Sequence, residues 1–554
     1  MIGTPIGRCR YTLFPKRWMP LWSVRSRLVN LALIYICCLA AVVIVYRRAP
    51  ITFFRAETGH WLLVAHTSSE AQNQLVREFW TTSSHGHYTP LAFTAEFFFT
   101  KWADTGSWLW RIRQQGAVAL VAAVFFIVVR SIALMLRFSK RTATCIAAGL
   151  TAAFIYQPLV NELVGWPFHI FQIAWLFFML VTIAALIQLL RNPGECKWVW
   201  VLAGSSYASM HALGLGFVTW VGTILAMSIL LISTYRKIDI FRAQRRTLVQ
   251  ALILLSAVGA AHALCMYLLI GPPRPVPSAA VPFGWSHALG LLAVYPLAIP
   301  LNFFGIVLLL SYGDIAIIIE SAWPYGVLVL AAAGAGLWLL AQSAFRQGNP
   351  NSLAPLVIYS FSFVAGIAFF GMIAMRELYE IGGLNSEFTE FFISPRYVIP
   401  FSFTILASVL LLLLSVMYRR QRLAAAVAIA LGIASLFAHI HYTRVVSPRV
   451  LANNSIPHAK AWKLIVAMAQ ECRAAGLPIP NMSMYQLETH PHEPDLRYFE
   501  PVLQDSLHLT REEHCRFIDW AQSRGAERAK YDAASPSLHR VLKLLRIQDP
   551  APHS

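Results

Sequence analysis

Four places in the sequence carry side chains able to do chemistry. The first is Phe53-Phe54-Arg55-Ala56-Glu57-Thr58-Gly59-His60-Trp61, with a carboxylate close behind a long apolar run. The second, Ser84-His85-Gly86-His87-Tyr88-Thr89-Pro90-Leu91, brings two imidazoles and a phenol into one polar turn. Glu162 is the lone acid of a short loop, Asn161-Glu162-Leu163-Val164-Gly165-Trp166. Arg396-Tyr397 follows Phe391-Phe392-Ile393-Ser394-Pro395, just where another apolar run begins. A carboxylate held in a cavity can take a proton from an attacking hydroxyl or help hold a divalent ion. A guanidinium grips phosphate through paired hydrogen bonds, and a neighbouring phenol can join it. Each group also has a plainer reading: Glu57 as a solvated loop acid, Glu162 snorkelling into headgroups, Arg396 and Tyr397 as interfacial anchors. His85 and His87 lack a third ligand at suitable spacing, so an ordinary polar turn is the better reading than a metal site.

These residues need a frame, and composition supplies it. Of 554 residues, 57% are hydrophobic and 13% charged, and the mean hydropathy is +0.57. Soluble domains typically carry about twice that charged fraction. The apolar residues fall in repeated runs of ~17–25, the length of a helix across a bilayer core. Lipid offers the backbone no hydrogen-bond partners, so such runs must be helices. The expected class is an all-α polytopic membrane protein. The net charge of +19 does not point to nucleic acid, because the basic residues cluster in short loops where they orient helices. The basic start leads straight into the apolar run 29–46, a first anchor rather than a cleavable leader.

Charge then sets the topology. Arg8, Arg10, Lys16, Arg17, Arg25 and Arg27, with no acid among them, place residues 1–28 in the cytoplasm. Later clusters fall on the same side if the runs alternate: Arg137, Lys140 and Arg141; Arg191 and Lys197; Arg236 to Arg246; and Arg419, Arg420 and Arg422. Pro296 and Pro300 leave the stretch 284–323 open to one helix, two short ones or a re-entrant pair. Zero or two crossings there give 11 or 13 transmembrane helices and a C-terminus outside, whereas one crossing puts the tail in the cytoplasm. The transmembrane domain covers 29–441, with a first outer loop at 47–115 and a later one at 375–396. Aromatics interleaved through the first loop suggest interfacial helices with rings at headgroup depth.

Residues 442–554 form a polar tail long enough for a small, mainly helical C-terminal domain. Thr510-Arg511-Glu512-Glu513 fits a capping box before the amphipathic stretch Phe517-Ile518-Asp519-Trp520. Outside the cytoplasm, Cys472 and Cys515 can pair if their Cα atoms approach within ~7 Å. Cys37, Cys38, Cys145 and Cys265 lie in apolar runs, where a thiol behaves as a small buried hydrophobe. His-Ala-Leu recurs at 211, 262 and 287, a coincidence to be expected in an Ala/Leu-rich chain.

The early acid, the second acidic loop and the late Arg-Tyr, in this order, resemble the GT-C superfamily of polyprenyl-phosphate-sugar-dependent glycosyltransferases. That superfamily includes the protein O-mannosyltransferases, the lipid A aminoarabinose transferases and the oligosaccharyltransferase catalytic subunits. His87-Tyr88-Thr89-Pro90-Leu91 looks like the His-Tyr-Arg-Pro-Leu pattern of several members, with Thr89 where Arg is common. Ser394-Pro395-Arg396-Tyr397 looks like the Arg-Tyr that precedes a late span. The likeness covers about 29–441 and implies a bacterial inner-membrane enzyme with its site on the periplasmic face. Its partners would be membrane lipid and a polyprenyl-phosphate sugar donor. In that scheme Glu57 deprotonates or orients the acceptor hydroxyl, and Arg396, with Tyr397 beside it, stabilises the departing lipid phosphate. Glu162 serves as a second base or helps hold a divalent cation, and no other cofactor is implied. His60, His85, His87 and Tyr88 shape the donor or acceptor pocket. A lipid-phosphate leaving group needs no nucleotide site, in keeping with the absence of a Gly-rich phosphate loop.

Three other classes fit the same frame. A polymerase or ligase of lipid-linked glycans usually presents its largest loop late in the chain, not directly after the first helix. A transporter should carry mid-span charges or repeated broken helices, for which Arg130 and the prolines at 296 and 300 are the candidates. A non-catalytic scaffold would use the outer tail to bind a partner.

Overall fold

The computed structural model describes residues 24–47, 58, 61, 64–65, 69–82, 88–103, 107–157, 160–192, 195–235, 241, 244–270, 275–276, 278–303, 312–346, 350–376, 382–384 and 420–446. Within them the chain is about 90% helical and contains no strand, as the apolar runs require. Val281 and Leu384 exchange a pair of backbone hydrogen bonds of 3.0 and 2.7 Å as an isolated bridge. Six helices are long and apolar enough to cross a bilayer, at Val29–Tyr46, Trp108–Met135, Pro167–Arg191, Arg245–Leu269, Ala316–Arg346 and Gln421–Arg444. Glu57, His60, His85, His87, Arg396, Tyr397, Cys472 and Cys515, and the expected tail domain beyond Val446, lie outside the described residues.

In chain order the helices are α1 (Val24–Tyr46), α2 (Ser69–Thr81), α3 (Pro90–Ala103), α4 (Ser107–Met135), α5 (Lys140–Tyr156), α6 (Val160–Gly165), α7 (Ile170–Arg191), α8 (Lys197–Ala212) and α9 (Phe217–Ser233). They continue with α10 (Arg245–Ile270), α11 (Trp285–Phe303), α12 (Tyr312–Ala341), α13 (Pro350–Arg376) and α14 (Gln421–His441). The final residues of the first loop are thus helical, since α4 starts at Ser107. Pro296 and Pro300 both lie within α11, so 285–303 is one helix and 312–323 opens the next.

Polar contacts sort the helix ends into two groups. At one end the Ser139 N–H donates to the Gln421 side chain (3.1 Å), Arg191 to the Ser131 carbonyl (2.7 Å), and Thr247 to Cys196 Sγ (3.7 Å). The Arg245 guanidinium lies 3.8 Å from the Tyr235 ring centroid. Arg137, Lys140, Arg141, Lys197, Arg420 and Arg422 all fall in or beside these turns, so the basic clusters gather at one end of the bundle. Arg130, five residues from the end of α4, reaches Thr144 through Nε at 3.1 Å. At the opposite end the Tyr46 hydroxyl donates to the Ile155 carbonyl (2.5 Å) and stands edge-on to the His439 ring, 5.2 Å away. α14 therefore runs from the basic end to the opposite end.

Small residues let the helices meet. A Cβ on Gly149 would run into the backbone of Ala428, and one on Gly432 would lie 2.8 Å from the Gly149 carbonyl oxygen. α11 and α12 meet the same way, Gly290 against the Ile319 carbonyl and Gly326 against that of Leu289. Close backbone approach at small residues is how helices associate where lipid gives no hydrophobic drive. Of the cysteines in apolar runs only Cys38 is buried. Cys37, Cys145 and Cys265 are exposed on the outer surface of the bundle as free thiols, where lipid receives them as readily as a core would.

Replacing Gly149 by Ala should therefore cost roughly 1–3 kcal/mol by overpacking, read as a lowered thermal midpoint of the purified protein in detergent. Gly204→Ala, where nothing lies within 4 Å of the new methyl, should be at least as stable as wild type. Equal midpoints for the two variants would contradict the packing described.

Candidate functional site

The site is built by the first loop folding back onto the bundle. α2 and α3 are short helices whose aromatic rings do not all face the membrane. Trp61, Phe79 and Phe93 turn inward and pack on Phe168 and Phe171 at the start of α7, with centroid separations of 5.4 Å (Trp61–Phe79), 5.9 Å (Trp61–Phe168) and 5.2 Å (Phe93–Phe171). Phe98, Trp102 and Trp108 stay exposed. The beginning of α7 offers the first three an apolar seat within the bundle.

Under α3 one acid has gone inside. Glu96 is 5% exposed. Both its oxygens are bound by Nη1 of Arg113, at 2.6 and 2.5 Å. Arg113 Nη2 donates to the Pro167 carbonyl at 3.0 Å, while its Nε–H is buried without a hydrogen-bond partner. The guanidinium carbon lies 4.3 Å from the Phe99 ring centroid and 4.9 Å from that of Trp110, contacts an arginine makes well. Burial pushes the Glu96 carboxyl up to about 7, although the guanidinium beside it pulls the other way. A desolvated acid with a specific charge partner beside a cavity is a candidate for a functional site.

Beside this pair opens a cavity of about 550 Å³, walled by α3, α4, α7 and α8, a size typical of small-ligand sites. It exists because facing wall positions are small: Ala92 and Ala95 on α3, Ala174 on α7, and Ala208 and Ala212 on α8. Phe99, Phe171 and Phe178 add apolar surface, and Glu96, Arg113, Tyr207 and His211 are its polar edges. Neither ring nitrogen of His211 has a hydrogen-bond partner. Its ring stands 5.0 Å from that of His262 and 4.5 Å from that of Tyr207, and His262 is in turn 5.8 Å from Tyr88.

Of the site residues expected from sequence, Tyr88 and Glu162 fall within the described residues, and neither lines the cavity. Tyr88, whose hydroxyl donates to the Trp80 carbonyl at 3.3 Å, and Leu91, on the cavity wall, both belong to the motif His87–Leu91. Glu162 sits on α6, whose Leu163 carbonyl accepts from Gln114 (2.9 Å), one residue after Arg113. Glu96, Arg113, His211 and His262 are not evident from sequence reasoning. A lone acid and an arginine in otherwise apolar, aromatic surroundings were the available signal for the first two. The His-Ala-Leu recurrence is a coincidence at 287, where the His287 ring accepts the Gly284 N–H (3.1 Å) at the start of α11, but His211 and His262 do come together. Among the described residues no three His, Cys, Asp or Glu side chains group as metal ligands. No protein-family model, curated protein or solved structure matches the chain.

The Glu96 carboxyl should be neutral below pH 7 and ionised above it. The folded chain holds this proton more tightly than the unfolded chain, whose ordinary value is 4.5. The group therefore favours folding fully below 4.5, and that contribution is lost as the pH rises through about 7. Infrared difference spectra of wild type against Glu96→Gln should show a protonated carboxyl band disappearing with a midpoint about 7. A band absent even in acid would contradict the buried placement.

Proposed function

We propose that the chain is a multi-pass membrane glycosyltransferase that moves a sugar from a polyprenyl-phosphate donor to an acceptor hydroxyl at the cavity end of the bundle. The observation that carries this reading is the cavity itself, apolar along its walls and charged at one edge, roofed by the first-loop helix α3. Such a space suits a substrate with a hydrocarbon part and an ionic part. The cavity lies opposite the basic turns, and those turns mark the cytoplasmic side. The site is then periplasmic in a bacterial inner membrane.

The bridge between Val281 and Leu384 supports eleven crossings. The 11 residues from Ile270 to Val281 are too few to cross a bilayer, so both bridged residues lie at the cavity end. An even number of crossings must separate them, supplied by α12 and α13, with none from α11. The apolar run before Arg419 reads from sequence as one more span, and with α14 the count is eleven, the reading in which the tail lies outside.

Glu57 accepts the proton of the acceptor hydroxyl as its oxygen bonds to the anomeric carbon. The bond from that carbon to the phosphate oxygen breaks, and the phosphate leaves with the electron pair, its charge met by Arg396 and Tyr397. Glu162, on α6 at the same end, stands as the second base.

The purified protein in lipid should release polyprenyl phosphate from a polyprenyl-phosphate sugar, and Glu57→Gln should slow this by roughly a hundredfold or more. Unchanged turnover in that variant would remove Glu57 from its role. Failure of the wild type to consume any such donor would overturn the transferase reading.

A further inference from the structure

Arg113 is the strongest anion binder beside the cavity, and its present partner is a poor permanent one. Glu96 is desolvated, and its carboxyl takes up a proton near neutrality, so an anion that takes its place on the guanidinium leaves a neutral acid behind. One donor of Arg113, its Nε–H, is buried and unused. The same guanidinium borders a cavity whose other walls are alanine and phenylalanine. Charge complementarity therefore lies at one edge and a hydrocarbon-compatible space beside it. His211 adds two ring nitrogens that have no partner.

We infer that the cavity binds the first part of the hydrocarbon chain of a phosphoryl lipid, with its phosphate replacing Glu96 as the partner of Arg113. This deepens the transferase reading and rests on it only for the identity of the lipid. The phosphate brings several acceptor oxygens where Glu96 brings two, so it can take over Nη1 and keep oxygens free for a second donor at the cavity edge. The displaced Glu96 takes a proton rather than remaining a bare buried charge, which would be costly. His211 is placed to hydrogen-bond the head group from the α8 side, and Ala95 and Ala174 leave room for the chain between α3 and α7.

The test is lipid binding to the full chain in nanodiscs, using long-chain polyprenyl phosphate, the uncharged polyprenol and phosphatidic acid as probes. Polyprenyl phosphate should bind at least about tenfold more tightly than polyprenol, the value of one charge-assisted contact. Arg113→Gln should abolish that preference, whereas Glu96→Gln should bind the phosphate lipid as tightly as wild type or more so. Ala174→Trp, which fills the cavity and leaves the ion pair in place, should lose all the probes and guards against an Arg113 variant that fails to fold. Retained preference in Arg113→Gln, or unaltered binding in Ala174→Trp, would overturn the inference. Equal binding of phosphatidic acid would support the cavity as a phosphoryl-lipid site and remove the support it lends to a polyprenyl donor. Tight binding of polyprenyl phosphate without donor turnover would leave the inference standing and the transferase reading refuted.

Discussion

Backbone carbonyls at helix ends must find donors, and in a membrane no water core supplies them. Here a single stretch, Arg111 to Gln115, answers for several chain passes at once. Arg111 donates to the Arg47 carbonyl (2.6 Å) and Gln115 to that of Tyr46 (3.3 Å), closing the end of α1. Gln114 donates to the carbonyls of Leu163 (2.9 Å) and Trp166 (3.1 Å), and Arg113 to that of Pro167. The two turns of α4 that precede its apolar run thus tie α1, α6 and α7 together. Arg113 has donors to spare, and the first loop delivers Glu96 to it.

The cavity follows from that arrangement. Once the ion pair holds α3 beside α4 and the ring cluster of Trp61, Phe79 and Phe93 seats the loop on α7, the spacing between these helices is set from outside. The alanines between them are too small to fill it. The result is an open groove with apolar walls, of a size that suits a small ligand or part of a larger one. An ionic edge on such a groove narrows the ligand to something amphiphilic.

The sequence made the class legible because span length and hydropathy are local properties, and the basic clusters predicted which helix ends lie together. Ser139 against Gln421 and Cys196 against Thr247 join turns that alternation alone had placed on one side. The site was less legible. Glu96 and Arg113 each look like ordinary charges of a loop and a helix start, and only the placement of α3 beside α4 makes them partners. His211 and His262 lie on separate helices, so their meeting depends on how α8 and α10 pack. The inward packing of three first-loop rings was not legible for a related reason: headgroups and a neighbouring helix reward an aromatic side chain alike, and sequence does not say which is nearer.

The most direct measurement is a double-mutant cycle on the ion pair, with unfolding free energies for Glu96→Gln, Arg113→Gln and the double variant. Each single change strands a buried partner and should cost about 3–5 kcal/mol, while the double variant should cost clearly less than their sum. Additive losses would mean that the two side chains do not depend on each other, and that the roof over the cavity is held by something else.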